Sequence, residues 1–280
     1  MRDTILVTGG TGTTGRRVSA QLSERGLRYR VATRNPGAKD HIRFDWTVET
    51  TWAAALEGVK SIYLVAPSGV AEPLPVMTPF MELAIRNGVK RFVLLSASSL
   101  DAGDPMMGIV HAWLRDHAPE WVVLRPTWFM QNFSDGQHLA TICDEGAIYT
   151  ATDQGRVAFI DAEDIAAVAV EALTQPECVS GDMILTGPAA LSYDAVAQTL
   201  SDVLKHQVKH HHLSVGELAA RHMDQSGLPE DYARTLAQMD AAIAAGSEDR
   251  VTDAVLRTTG RPARALEEFI VANSGVWIKR

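Results

Sequence analysis

Three apolar residues, Ile5-Leu6-Val7, run into Thr8-Gly9-Gly10-Thr11-Gly12-Thr13-Thr14-Gly15, and a helix-like pattern follows at once. Gly10, Gly12 and Gly15 keep the spacing Gly-x-Gly-x-x-Gly between a strand and a helix, a context that restricts the fold far more than the glycines alone. One glycine makes the tight turn, the next lets backbone N–H groups approach a phosphate, and the third lets helix and strand pack closely. The helix N-terminus, with its unpaired N–H groups and its dipole, then favours an anion. The segment predicts the opening of a parallel α/β sheet and a cradle for the pyrophosphate of a dinucleotide.

Short apolar runs continue to alternate with helical patterns, which predicts βαβ units and a doubly wound, Rossmann-type parallel sheet. Strands are expected at residues 5–8, 29–33, 42–44, 61–65, 92–96 and 122–124, and helices at 15–24, 51–56, 79–87 and 109–116. After Pro126 the pattern becomes mixed, leading to a strand-like run at 157–161, a helix at 162–173 and a strand at 183–185 that returns to the main sheet. Helices are expected at 193–204, 215–223, 230–245 and 263–272. The domain reading is therefore a nucleotide-binding domain at 1–150 and a smaller, mostly helical substrate region at 151–280, expected over the carboxyl ends of the strands.

The 280 residues are 46% hydrophobic and 21% charged, ordinary for a compact enzyme and too apolar for a long disordered tail. No run approaches the roughly 18 apolar residues of a membrane span, and the N-terminus enters a strand without a signal peptide, so a cytoplasmic protein is expected. A formal charge of −8 argues against a generic nucleic-acid binder. Cys143 and Cys178 offer neither metal-ligand spacing nor a disulfide framework. The partners expected are a small-molecule substrate and, at most, a second copy of the chain; no membrane and no nucleic acid are expected.

The end of the second strand separates the two nicotinamide dinucleotides. An NAD site usually has Asp or Glu there for the ribose 2′-hydroxyl, whereas this chain has Thr33-Arg34-Asn35. A guanidinium matches a 2′-phosphate, so Arg34 predicts NADP(H), beside the plainer reading of a solvated loop arginine. Cofactor contacts are expected from Thr8, Gly10, Thr11, Gly12, Thr13, Thr14 and Gly15, and from Arg34. Asp45 and Trp46 after the third strand can meet the adenine or merely anchor a loop. Ala66, Pro67 and Ser68 follow the fourth strand, Ser96 the fifth and Thr127 the sixth, all where a cofactor would cross.

With these pieces placed, the chain resembles the atypical, NmrA-like branch of the short-chain dehydrogenase/reductases. The resemblance covers nearly the whole chain. It rests on the loop 8–15, Gly88-Val-Lys-Arg-Phe-Val-Leu-Leu-Ser96, Leu124-Arg-Pro-Thr-Trp-Phe-Met-Gln-Asn132, Phe159-Ile-Asp-Ala-Glu-Asp164 and Thr186-Gly-Pro-Ala-Ala-Leu-Ser192. Arg43-Phe44-Asp45-Trp46 with Thr51-Trp52 looks like reductases of the ergot-alkaloid (festuclavine or agroclavine dehydrogenase) type and their bacterial relatives. The resemblance implies NADP dependence without naming a substrate.

One departure from the superfamily matters more than the match: Tyr-x-x-x-Lys, the usual proton donor and its partner, is missing. None of Tyr29, Tyr63, Tyr149, Tyr193 and Tyr232 is followed four residues later by lysine. Hydride addition to a ketone makes an alkoxide that wants a proton, whereas addition to an iminium ion gives a neutral amine. C=N reduction therefore fits best, with quinones and other conjugated carbonyls as further acceptors. If an acid exists, His111 is the first candidate and Ser96 the second; each has a packing or capping reading beside it. Ser98, Met106, Trp128, Phe129, Asn132, Phe133 and Phe159 are candidate substrate contacts, although aromatic residues at such spacing are more often core. The alternative function, known in the NmrA-like branch, is a non-catalytic NADP(H) sensor that binds a protein. No metal site is expected: adjacent histidines in His210-His211-His212 point to opposite faces of a strand, and the spacing shows no acidic or cysteine partner.

Overall fold

A computed structural model describes residues 3–278. The chain opens as β1 (Thr4–Val7), α1 (Thr13–Glu24), β2 (Tyr29–Thr33), β3 (His41–Arg43), α2 (Trp52–Leu56), β4 (Val59–Leu64), α3 (Pro73–Arg86), β5 (Arg91–Leu95), α4 (Met107–His117) and β6 (Glu120–Pro126). It continues through α5 (Gln131–Ser134), α6 (Leu139–Glu145), β7 (Ala147–Thr150) and β8 (Arg156–Val157), then α7 (Ala162–Thr174) and β9 (Gly181–Leu185). The remainder is β10 (Leu191–Ser192), α8 (Tyr193–Leu204), β11 (Lys209–His212), α9 (Val215–Ser226), α10 (Glu230–Ala244), α11 (Ala254–Thr259) and α12 (Leu266–Ala272).

These elements form two compact units. The first comprises the chain through Pro126, Ala162–Leu185 and Ala254–Arg261; the second comprises Thr127–Asp161, Thr186–Asp253 and the described residues from Pro262 onward. The expected cut at residue 150 thus falls inside the second unit, and α7, β9 and α11 belong to the first.

In the first unit seven strands lie in the order β3-β2-β1-β4-β5-β6-β9, and every pairing is parallel. This is the expected doubly wound sheet, with 183–185 returning to it beside β6. Its strands read as apolar runs because helices cover both faces: all four residues of β1 are buried, as are Ile62, Tyr63 and Leu64 of β4. Helix α1 buries Thr14, Val18 and Leu22 at a four-residue period. Its neighbour α7 is buried nearly all round by alanine, valine and isoleucine. Polar clamps join these two helices, with Arg17 Nε donating to Glu163 at 2.9 Å and Arg25 to Glu171 at 2.6 Å.

Helix α3 starts at Pro73 rather than near 79, so Pro79 sits inside it. The proline forfeits one helical hydrogen bond. Burial of Met77, Phe80, Met81 and Ala84 on one stripe holds the helix together around it.

The second unit has two small sheets, β11 parallel to β7 and β10 antiparallel to β8. Its core gathers Phe133, Phe159, Tyr193, Phe269 and Trp277. The C-terminal helix begins at Leu266 instead of 263, because the preceding residues are drawn out by the ion pair of Arg264 with buried Asp161, at 2.7 Å. In the first unit Arg261 holds buried Asp164 at 2.6 Å. The motif Phe159-Ile-Asp-Ala-Glu-Asp164 thus provides one buried carboxylate for each unit where the chain passes between them. No described helix is long and apolar enough to cross a membrane.

Candidate functional site

The loop after β1 packs as its glycines require. A Cβ at Gly15 would collide with the carbonyl oxygen of Gly9, and one at Gly10 with Val31 of β2. Gly12 serves as the N-cap of α1 without offering any side chain, its own N–H donates to Gly9 O at 2.9 Å, and no acidic residue stands in the first helical turn. The N–H groups at the start of α1 therefore face an anion with nothing of like charge beside them. Thr11 and Gly12 are exposed and Thr13 half-buried, so the rim of the cradle is open to a ligand, while Thr14 and Gly15 are buried beneath it. Thr8 has another task. Its hydroxyl donates to Tyr63 O at 2.9 Å and accepts from Val65 N–H at 2.8 Å, fastening β1 to β4 below the loop.

Because the strands are parallel, the ends of β1 to β5 share one edge of the sheet, and most predicted cofactor residues come together there. Arg34, just past β2, is exposed, and among the described residues no hydrogen bond or ion pair engages its guanidinium. Asp45 lies near enough to feel its charge. Thr47, through its backbone N–H at 2.9 Å and its hydroxyl at 2.8 Å, holds the Asp45 carboxyl below its ordinary pKa, with Arg34 and Arg43 adding to the effect. Trp46 is half-buried and packs edge-on against Phe44 and Phe80 at 5.0 and 5.3 Å. Beyond β4, Ala66 and Pro67 are half-buried and Ser68 is exposed.

Beyond β5, the Ser96 hydroxyl is buried without a hydrogen-bond partner. An orphaned hydroxyl at this edge, a cradle that a Cβ at Gly10 or Gly15 would fill and an unengaged arginine together fit a phosphorylated dinucleotide. Ser98 is buried and tied by its backbone, its N–H to Pro126 O at 2.9 Å and its carbonyl to Arg125 at 3.1 Å.

His111 lies on α4. It is 3% exposed, its ring 5.5 Å from that of Trp121, with Nδ1 unpartnered, and burial lowers its pKa. The enclosure is compatible with the packing reading that the sequence offered beside the acid. Met106, at the N-cap of α4, is 52% exposed with φ of 63°.

The remaining predicted contacts belong to the second unit. Phe133 and Phe159 are core residues, their rings 5.1 Å apart edge to face and both edge-on to Tyr193. Phe129 is half-buried and bridges to Ile160. Asn132 is half-buried, its carbonyl accepting from His138 N–H at 3.0 Å. Thr127 donates its hydroxyl to Ala158 O, again a fastening role.

Trp128 does face a cavity, of about 250 Å³, which Tyr149, Leu218, Arg221, Met239 and Asp240 also line. Arg221 lies over the Tyr149 ring, 3.5 Å from its centroid, and is neutralised by Glu145 at 2.9 Å. Asp240 is 6% exposed and accepts from Ala151 N–H at 2.9 Å, and burial pushes its carboxyl up to about 6. His138, also lining the cavity, is driven by burial down to about 3. Sequence reasoning missed all of these except Trp128. They meet from segments up to about a hundred residues apart, and no local spacing marks them.

Residues 9–176 match the NAD(P)H-binding family. The chain is 45% identical to the uncharacterized oxidoreductase YesF of Bacillus subtilis (strain 168), over 98% of this chain and 96% of that one. It is 38% identical to agroclavine dehydrogenase of Claviceps fusiformis, over 99% of both chains. The fold matches an NADPH-dependent quinone oxidoreductase of Escherichia coli solved with NADPH, with a TM-score of 0.82 at 23% identity, covering 98% of this chain and 100% of that one. The expected relationship to the clavine dehydrogenases is therefore borne out, and the chain belongs to the NAD(P)H-binding family as one of its oxidoreductases.

Proposed function

We propose that the chain is an NADPH-dependent reductase of a small apolar substrate, acting on an iminium or imine group or, second, on a conjugated carbonyl or quinone. The observation that carries this reading is the make-up of the sheet edge bearing the phosphate cradle. The ends of β4 and β5 present Val65-Ala66-Pro67-Ser68 and Ser96-Ala97-Ser98-Ser99, with no ionisable side chain. His111 is enclosed against Trp121, which leaves the Ser96 hydroxyl, a very weak acid, as the candidate donor at this edge.

Gly9 to Gly15 and the first turn of α1 hold the pyrophosphate, and Arg34 takes the 2′-phosphate that sets NADPH apart from NADH. Bound there, NADPH supplies a hydride. Added to the carbon of a C=N⁺ group, that hydride gives a neutral amine, and the balance needs no proton from the protein. Small neutral residues at the β4 and β5 ends suit a reaction run by positioning alone. In the second unit the cavity beside Trp128 and Tyr149 offers a ligand aromatic and aliphatic surface together with polar groups, among them the Asp240 carboxyl and the Glu145-paired Arg221.

The test is NADPH oxidation, followed by loss of nicotinamide absorbance, against panels of cyclic iminium ions, imines, quinones, enones and simple ketones. The expected result is turnover of iminium ions with a rate that does not follow the ionisation of any single protein acid. Preference for simple ketones with such an ionisation in the rate profile, or silence across every panel despite tight NADPH binding, overturns the reading.

A further inference from the structure

In the second unit, β11 carries His210 and His212 two residues apart, which puts both imidazoles on one face of the strand. Asp194, in the first turn of α8, projects its carboxylate between them. Its Oδ1 lies 3.0 Å from His210 Nδ1 and 3.2 Å from His212 Nε2. The two rings are 4.2 Å apart between centroids. Two nitrogens and one oxygen thus surround a common point with all three atoms within 4.8 Å of one another. Bonds of about 2.0 to 2.1 Å to a tetrahedral cation set neighbouring ligand atoms about 3.3 Å apart, close to the two oxygen–nitrogen separations here.

Two of the three groups are also held from behind, and the third has a carboxylate nearby. His210 Nε2 is 2.7 Å from Thr150 Oγ1, Asp194 Oδ2 accepts from Gln154 Nε2 at 3.2 Å, and His212 Nδ1 faces Asp153 Oδ1 at 3.9 Å. Outer hydrogen bonds of this kind orient the ligands of metal centres. The His210 side chain is fully buried while those of Asp194 and His212 are 43% and 39% exposed, so the inner point is anchored on one side and open to solvent on the other.

We propose that Asp194, His210 and His212 form a binding site for a zinc-class divalent cation, which fastens the start of α8 to β11. Two imidazoles and one carboxylate favour zinc over magnesium or calcium, which want more oxygen. Water completes the coordination from the open side, and the ion is structural to this unit, independent of the hydride chemistry.

Tag-free protein stripped with EDTA and titrated with ZnCl₂ by calorimetry should take up one ion, with a melting temperature raised by several degrees. Substituting CoCl₂ should give the visible bands of a low-coordinate nitrogen-ligated ion. Asp194→Asn and His212→Ala, both at part-exposed positions, should each weaken zinc binding by about tenfold or more. His211→Ala, stacked on Tyr149 on the other face of the strand, should leave it unchanged. Zinc affinity equal to the parent in folded Asp194→Asn and His212→Ala, or no uptake by the parent in millimolar ZnCl₂, overturns the proposal.

Discussion

The phosphate cradle of the first unit and the cavity of the second are built on opposite principles. The cradle is eight consecutive residues whose work is done by backbone, and side chains matter there mainly by their absence. The cavity is all side chain, assembled from α6, β7, α9, α10 and the turn after β6. At Gly15 the cradle has no graded response, because one added methyl meets backbone that cannot retreat. The cavity tunes its chemistry through burial and neighbours, and its parts can be altered one at a time.

The sharpest way to break this comparison is at Gly15. Gly15→Ala drives a methyl into the Gly9 carbonyl, so NADPH affinity is expected to fall roughly 100-fold or more and the melting temperature with it. Gly37→Ala is the control, because a Cβ there meets nothing within 4 Å, and it should change stability by no more than about 0.5 kcal/mol. Fluorescence titration of NADPH with parallel thermal melts checks both. Equal tolerance of the two substitutions would remove the claim that the loop is closed to side chains.

A smaller effect is expected from the one side chain the nucleotide reading depends on. Arg34→Ala should raise the NADPH dissociation constant by roughly 10- to 100-fold, the worth of a lost charged contact, and leave NADH almost untouched. Paired titrations with the two nucleotides measure the ratio, and an equal loss for both would show that Arg34 does not read the 2′-phosphate.

The same contrast explains how much of the molecule was legible in its residues. Strands β1, β2 and β4 to β6 announce themselves as short apolar runs between turn residues, and α8 as a four-residue period bounded by the Ser192 cap, whose hydroxyl accepts from Ala195 N–H. The cradle is legible because its meaning is local. Helices α5 and α6 are too short to show a period, and β7 exists through pairing with β11 some sixty residues later. Asp194 escaped notice for the same reason. Its partners His210 and His212 lie sixteen and eighteen positions away, and attention to adjacent histidines hides that alternate ones share a face. His111, Phe133 and Phe159 had two readings in the sequence, because a local pattern does not carry their burial.

The smallest expected effect probes tuning in the cavity. Asp240 is held with its carboxyl pushed up from 3.8 to about 6 by burial, so the folded protein resists an ionisation that the unfolded chain accepts freely. Between those two values the unfolded state binds fewer protons, and stability falls as pH rises through the window, by an amount on the order of 2 to 3 kcal/mol. Asp240→Asn keeps an oxygen to accept from Ala151 N–H but cannot ionise. The relief is partly offset by the weaker neutral hydrogen bond and by the amide hydrogens that now need partners. A net gain of about 1 kcal/mol, or about 2 °C in melting temperature, is therefore expected above pH 6, with none at pH 4. Melts of parent and variant across that range check the sign. A gain of equal size at both ends would mean that packing, and not the buried charge, sets the cost.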